Sequence, residues 1–501
     1  MKPTGKKSRI FFIVGVGAVC LAAAFAEASF GEIIQDDAYI SFRYAENLIA
    51  GNGLVYNPGE RVEGYTNFLW TLLIGASVKA GIGAPFAGRW LGVIASLGAI
   101  ILTAWIARRY ANEYLGVVAA AMLAANGNFL LEAAQGLETA LFVLIVTAAA
   151  WRAGEEFAAP AKRPLSVILL ILAFLTRPDG ALVFLAALPF YAATARANPR
   201  RFAIWLGSFA LAAAAYESWR LAYYDSFFPN TFYAKVRPEG ETLEYGLKYT
   251  VTFVLRFTPF LLLLPLAAKP RKVFYPWGVL LAVFVTYVII VGGDMKPTGR
   301  FYQPVIPLLL VAVAAALYDL ENAARWVPRW TLAALAGALV ATSLLQYVAG
   351  LDYARQYRDP QRLHVVAGKW LGENAPPGAT LATTAAGIIP YYSGLYTIDM
   401  LGLTDPYVAR HGRRTFTLPG HGLSATDYIL DKKPDYILVY DLIFTAKPVS
   451  FEDLFKDMRW PAAYYMATSR RFRNEYVMSH AEITPGMYFV YFVRSKSSPK
   501  P

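Results

Sequence analysis

Cysteine is nearly absent. Cys20 is the only one in 501 residues, so no intrachain disulfide can form and no thiolate metal site can be assembled. The four histidines, His364, His411, His421 and His480, have no metal-ligand spacing. There is no GKS or GKT phosphate loop, no GxSxG elbow and no HExxH helix, which argues against an NTP-driven pump, a serine hydrolase and a zinc protease. Charge is scarce as well. Only 16% of residues are Asp, Glu, Lys or Arg against 56% hydrophobic, and the mean hydropathy is +0.38, too apolar for a soluble chain of this length. The formal charge of +12 stands in short Lys/Arg clusters between apolar runs rather than on one polar domain. That distribution argues against nucleic-acid binding and reports membrane topology.

Residues 10–30 approach the roughly 20 residues that a spanning helix needs. Ala24-Phe25-Ala26 imitates a cleavage site, yet the many spans that follow favour an uncleaved anchor. Apolar segments near 88–107, 115–131, 138–152, 164–176, 179–195, 201–221, 247–268, 273–291, 302–319 and 329–349 bring the count to about eleven. The segment at 68–83 is shorter and contains Lys79. If it does not cross, Lys2, Lys6, Lys7 and Arg9 share one side with Arg108, Arg109, Arg152, Lys162, Arg163, Arg196, Arg200, Arg201, Lys269, Arg271, Lys272, Arg325 and Arg329. That is the positive-inside pattern; if the segment crosses, every later cluster contradicts it.

The expected architecture is a polytopic α-helical membrane protein. Residues 1–350 form the membrane part with a large first outer loop, 31–87, and residues 351–501 an extracytoplasmic α/β domain. In the latter a helix near 353–374 ends before Pro376-Pro377-Gly378, and ATLATT, LYTIDM, DYILVY and MYFVYFV read as buried strands. The N-terminus is then cytoplasmic, and a bacterial plasma membrane is the expected location.

On this topology the unusual polar residues gather on the outer face. An adjacent acid pair beside a membrane is costly, so Asp36 and Asp37 point to a site, although an ordinary outer loop can also carry two acids. Glu138 lies in GLETALF, Arg177 in TRPDG, Asn230, Tyr233 and Lys235 in FFPNTFYAK, and Lys296 and Arg300 in GGDMKPTGRF. Sugar transfer from a lipid phosphate needs a carboxylate to take the acceptor proton, and Asp36 or Asp37 fits. The leaving phosphate needs no acid but does need fixed donors such as Arg177, Lys235, Lys296 or Arg300. The second carboxylate can hold a divalent cation, orient the acceptor or share the proton. Asp399 and Asp405 leave a strand end, where open α/β sheets bind ligands, but turn or capping roles suit them equally. Arg177 before Pro178 can equally be a snorkelling span end, and Lys235 a solvated loop cation.

The blocks DDAYISFRYAENLIAGNGLVYNPGERVEGYTNFLW, GLETALF, TRPDG, PNTFYAK, GGDMKPTGRFYQPVIPLL and SGLYTIDMLGLTD, in that order from about residue 35 to 440, resemble the bacterial GT-C membrane glycosyltransferases related to mycobacterial terminal β-(1→2)-arabinofuranosyltransferase. The resemblance implies transfer, usually with inversion, of a sugar from a polyprenyl-phosphate carrier to a cell-envelope glycan, lipid or protein hydroxyl on the outer face. It carries the catalytic acid to Asp36 or Asp37 and a second acid to Glu138. The full candidate set adds Arg43, Tyr65, Asn67, Asn230, Tyr233, Asp399, Asp405 and His421 for substrate. Arabinofuranose is one candidate sugar, with mannose, galactose, aminoarabinose and rarer pentoses open. The competing readings are a transporter or flippase, which should carry repeats and midplane charges that this sequence lacks, and a noncatalytic binder of lipid-linked glycans.

Overall fold

The apolar runs become helices, and several of the polar blocks between them fold into short elements. The computed structural model describes residues 5–236, 240–266, 271–294, 296, 298–323, 329–415, 422–439, 443–456 and 460–495. His421 of the candidate site and Lys2, Lys269 and Arg325 of the basic clusters lie outside the described residues.

The membrane part runs α1 (Lys6–Ser29), α2 (Asp36–Ile49), α3 (Phe68–Lys79), α4 (Ala84–Tyr110), α5 (Glu113–Ala124), α6 (Gly127–Ala134), α7 (Thr139–Ala158) and α8 (Ser166–Thr176). It continues with α9 (Ala181–Ala195), α10 (Pro199–Tyr224), α11 (Asn230–Lys235), α12 (Gly240–Leu261), α13 (Tyr275–Val291), α14 (Ile306–Ala323) and α15 (Arg329–Asn374). Within the described residues the apolar segments read as spans are largely helical, although 115–131 is divided between α5 and α6. Among the described residues six helices are long and apolar enough to cross a membrane, and seven if α5 and α6, bent by 61°, count as one span. The protein is therefore a multi-pass membrane protein. Helices α7, α10 and α12 have 20, 26 and 22 residues but are not among these six, and α8 has only 11. The bend between α5 and α6 has a local cause: Asn126 caps α6 through the Phe129 amide, and Gly127 lets α15 approach so closely that a Cβ would lie 2.0 Å from Tyr347 Cα.

Two expectations change. The polar stretch after α1 is not all loop: α2 forms there because Ala38, Tyr39, Phe42 and Ala45 make one apolar face, buried against Trp70 and Ile74 of α3 and Ala87 of α4. Helix α3, 12 residues long, extends only about 18 Å, short of the roughly 30 Å hydrocarbon core. The helix expected near 353–374 is instead the end of α15, a single helix of 46 residues.

Beyond α15 the chain forms β1 (Thr380–Thr383), α16 (Ile388–Ser393), β2 (Tyr396–Asp399), α17 (Pro406–His411), β3 (Arg413–Arg414), β4 (Leu423–Ser424), α18 (Thr426–Asp431), β5 (Tyr436–Leu438), β6 (Phe444–Thr445), β7 (Tyr476–Thr484) and β8 (Met487–Arg494). The main sheet runs β2-β1-β5-β8-β6, with β7 also paired to β8. Strands β1, β2 and β5 are parallel, with Ala382 level with Ile398 and Ile437. The loops that leave the carboxyl ends of β1 and β2, where such sheets form their crevice, rest on the segment between α1 and α3. This docking joins the sheet to the membrane part.

Candidate active site

Asp36 and Asp37 occupy the first turn of α2, where the N-terminal dipole favours negative charge. Burial pushes the Asp36 carboxyl up to about 7; the Ile388 amide pulls it down and Asp37 pushes it further up. Its Oδ1 accepts that amide at 2.8 Å. Asp37 faces a different set of groups, since its charge is felt by Lys296 and Arg300.

Glu138, the residue before α7, is buried and accepts from Asn67 Nδ2 at 2.8 Å and from Arg177 Nη1 at 2.9 Å. Asn67 Oδ1 in turn accepts from Ser41 of α2 and Thr71 of α3, and Arg177 Nε donates to Asp179 at 2.9 Å. One buried hydrogen-bond chain thus links α2, α3, α7 and the residues just before α9, with its bonds to Glu138 and Asp179 charge-assisted. Arg177 also stands 5.5 Å from the ring centroid of Phe301, next to Arg300. Arg300 pairs with Asp294 at 2.9 Å.

Lys296 is buried with its ammonium 3.5 Å from both oxygens of Glu132 and 2.8 Å from Gln135 Oε1. Burial lowers its proton affinity, partly offset by Glu132. The Gln135 carbonyl accepts the amide of Gln35, the residue before Asp36, so the Lys296 cluster and the acid pair share one backbone link. Beside Lys296 opens a cavity of about 300 Å³ lined by Lys248, Tyr249, Arg256 and Phe257 of α12, by Asp294, and by Gln346 of α15. Lys248, Thr252 and Arg256, four residues apart, share one face of α12. Sequence reading missed this basic stripe, although its spacing was there to be read.

The remaining candidates divide. Arg43 is buried and fully engaged, donating to the carbonyls of Tyr56, Pro390 and Leu395 at 2.8 Å each and to Asn57 Oδ1 at 3.1 Å. Tyr65 is buried against Tyr44 and Tyr224. Asn230 donates to the carbonyl of Gly402 at 2.8 Å, and Tyr233 packs below the Arg410 guanidinium, 4.6 Å away. Asp399 is buried, its oxygens accepting the amides of Leu401 and Thr404 at 2.9 and 2.8 Å; burial lifts it to about 6. Asp405 caps α17 through the Val408 amide and accepts the Tyr428 hydroxyl, both at 3.0 Å. Lys235 ends α11 exposed, outside the buried network. Among the described residues no group of three or more His, Cys, Asp or Glu is arranged to hold a metal ion. Glu63 is a staple that sequence reading did not identify: it pairs with buried Arg220 at 2.7 Å and fixes the loop before α3 to α10.

Known proteins support this architecture. The pattern of a family described as a domain of unknown function (DUF8728) matches residues 348–491. The chain is 33% identical over 360 residues to a terminal beta-(1->2)-arabinofuranosyltransferase of Mycobacterium tuberculosis, covering 61% of this chain and 56% of that one. It is 28% identical over 337 residues to the Corynebacterium glutamicum protein of the same name, covering 55% and 47%. The chain therefore spans about half the length of the curated relatives it matches. ArnT of Cupriavidus metallidurans bound to undecaprenyl phosphate superposes with a TM-score of 0.63 at 13% identity over 97% of this chain and 99% of that one. The Archaeoglobus fulgidus oligosaccharyltransferase gives 0.51 at 14% identity over 94% and 72%. The chain thus has the GT-C fold of these membrane proteins, and the resemblance to the terminal arabinofuranosyltransferases read from its sequence holds.

Proposed function

We propose that this protein is a glycosyltransferase that moves a sugar from a polyprenyl-phosphate donor to a hydroxyl of a cell-envelope glycan, lipid or protein. The observation that carries the reading is the acid pair of α2 set beside a buried cation cluster that borders a basic, aromatic-lined cavity. A carboxylate of the pair takes the acceptor proton as the acceptor oxygen bonds to the anomeric carbon. The bond from that carbon to the phosphate breaks, and the charge that develops on the departing polyprenyl phosphate falls to Lys296, Arg300 and Arg177. Attack opposite the leaving phosphate in one displacement inverts the anomeric centre. Glu138 holds Arg177 and Asn67 in register.

Two likenesses support the reading: the terminal arabinofuranosyltransferases in sequence, and in fold an ArnT whose structure contains undecaprenyl phosphate. Arabinofuranose is accordingly the first sugar to test. The location is a bacterial plasma membrane, with residues 1–350 embedded, the N-terminus cytoplasmic and residues 351–501 outside. The test is transfer of radiolabelled sugar from a panel of polyprenyl-phosphate sugars by purified protein, with the Asp36→Asn/Asp37→Asn double variant beside it. Transfer that vanishes in a folded double variant is the expected result. No turnover with any donor, given competent acceptors, would overturn the proposal.

A further inference from the structure

We propose that the segment 384–388 of the C-terminal domain is a positioning strap for the acid of the first outer segment, so that the domain takes part in the transfer by fixing Asp36 for its work. This rests on the transferase reading. The strap leaves the carboxyl end of β1 and leads into α16. Its last amide, on Ile388, donates to Asp36 Oδ1 at 2.8 Å. Gly387 lies so close that a Cβ there would stand 2.0 Å from the Asp36 carbonyl oxygen and 2.5 Å from its carboxyl carbon, a gap that no side chain can enter. The strap is held from the membrane part as well: Tyr56 Oη donates to the Ala386 carbonyl at 2.6 Å, and Arg43 ties the Pro390 and Leu395 carbonyls to α2. Asn57 completes the seam with both backbone groups of Thr397, accepting at 3.1 Å and donating at 2.8 Å. A backbone amide aimed at a carboxylate stabilises its charged form and fixes the oxygen's direction. The strap therefore favours the charged form of Asp36 against its burial and fixes its aim, while Asp37 is left to the cations around Lys296.

The test uses the full-length protein and two readouts. In Gly387→Ala the Cβ drives strap and acid apart, so kcat at pH 7 should fall at least about tenfold and the acidic limb of the pH–rate profile should move up by about one pH unit, with the donor KM little changed. Tyr56→Phe, which keeps the ring and loses the strap bond, should move the same limb less. Lys432→Ala, an exposed change in the same domain, should leave the limb in place. Independently of turnover, hydrogen exchange over 384–393 should accelerate in Asp36→Ala. An acidic limb at its wild-type position in folded Gly387→Ala, or unchanged exchange in Asp36→Ala, overturns the strap. Absence of transfer by the wild-type protein overturns the transferase reading instead, and the exchange experiment still decides the contact.

Discussion

Buried carboxylates stand at both ends of helix α7, Glu138 just before it and Glu155 and Glu156 near its close, and the two ends are built differently. Glu155, at the far end, is closed in by Arg109 at 2.8 Å, by Lys162 and by the Tyr110 hydroxyl. Its neighbour Glu156 is answered by Arg152, Ser166 and Tyr191. Nearby, Arg271 grips both oxygens of Asp319 at 2.7 and 2.9 Å. At the near end Glu138 and Arg177 are paired, but the cluster beyond them is slack. Lys296 stays 3.5 Å from Glu132, the Gln135 Nε2 is buried without a partner among the described residues, and the group borders a cavity. Buried ion pairs alone therefore do not mark a site, because structural ones can be equally buried. What separates the near end is that its cation cluster borders open space and that the acid pair stands next to it, which is why the proposed site is placed there.

The largest effect should come from the acid pair. At least one of Asp36→Asn and Asp37→Asn should lose transfer by about 10²- to 10⁴-fold while inserting and folding normally. Glu155→Gln should cost stability and leave the rate per folded molecule within about twofold. A loss of turnover in folded Glu155→Gln matching that of the acid variants would remove the contrast between the two ends. Next in size is Arg177→Ala. Losing charge-assisted bonds worth about 1.5–3 kcal/mol should raise the donor KM about tenfold to a hundredfold. Donor kinetics that do not change would reduce Arg177 to a structural partner of Glu138.

Much of the near end was legible beforehand because its residues sit in short polar blocks between long apolar runs. Asp36, Asp37, Glu138, Arg177, Lys296 and Arg300 all come from such blocks, and β1, β2, β5 and β8 match the expected apolar strands. What escaped depends on contacts distant in sequence. Arg43 reads as a ligand cation until its partners, the carbonyls of Pro390 and Leu395, are known. Asp399 suits a crevice or a turn equally in sequence, and only the structure shows that its own loop consumes its oxygens. Strand β7 carries Ser479, His480 and Glu482, too polar to resemble a buried strand. Gly350 looked like a boundary, but a lone glycine does not end a helix; here it packs α15 on α6, with a Cβ falling 3.2 Å from the Gly127 carbonyl oxygen.

A pH effect of moderate size tests whether the near end is tuned by burial. With Asp36 held near 7, transfer should fall below about pH 7 if Asp36 is the base. Stability should run the opposite way. The folded state keeps the Asp36 proton while an unfolded chain has released it above about pH 4, so this group's contribution falls as pH rises from about 4 to 7. Asp36→Asn should thus gain on the wild type in thermal stability between pH 5 and pH 8 even as it loses activity. A gap in melting temperature that does not widen with pH would show that Asp36 ionises freely.

The smallest effect belongs to Lys235, the exposed member of the cation set. A solvated ammonium acts on a phosphate through water, and its reach is limited to about 8 Å at physiological ionic strength. Its field steers the donor rather than holding it. Lys235→Ala should therefore change the donor KM by no more than about threefold at low salt, and the difference should vanish near 1 M salt, where the screening length is about 3 Å. The Arg177→Ala defect should persist there, because that guanidinium is buried among Glu138, Asp179 and aromatic rings. If the two variants respond to salt alike, both cations act from solvent and the near end is not the desolvated phosphate site argued for it; if they separate, burial accounts for the difference.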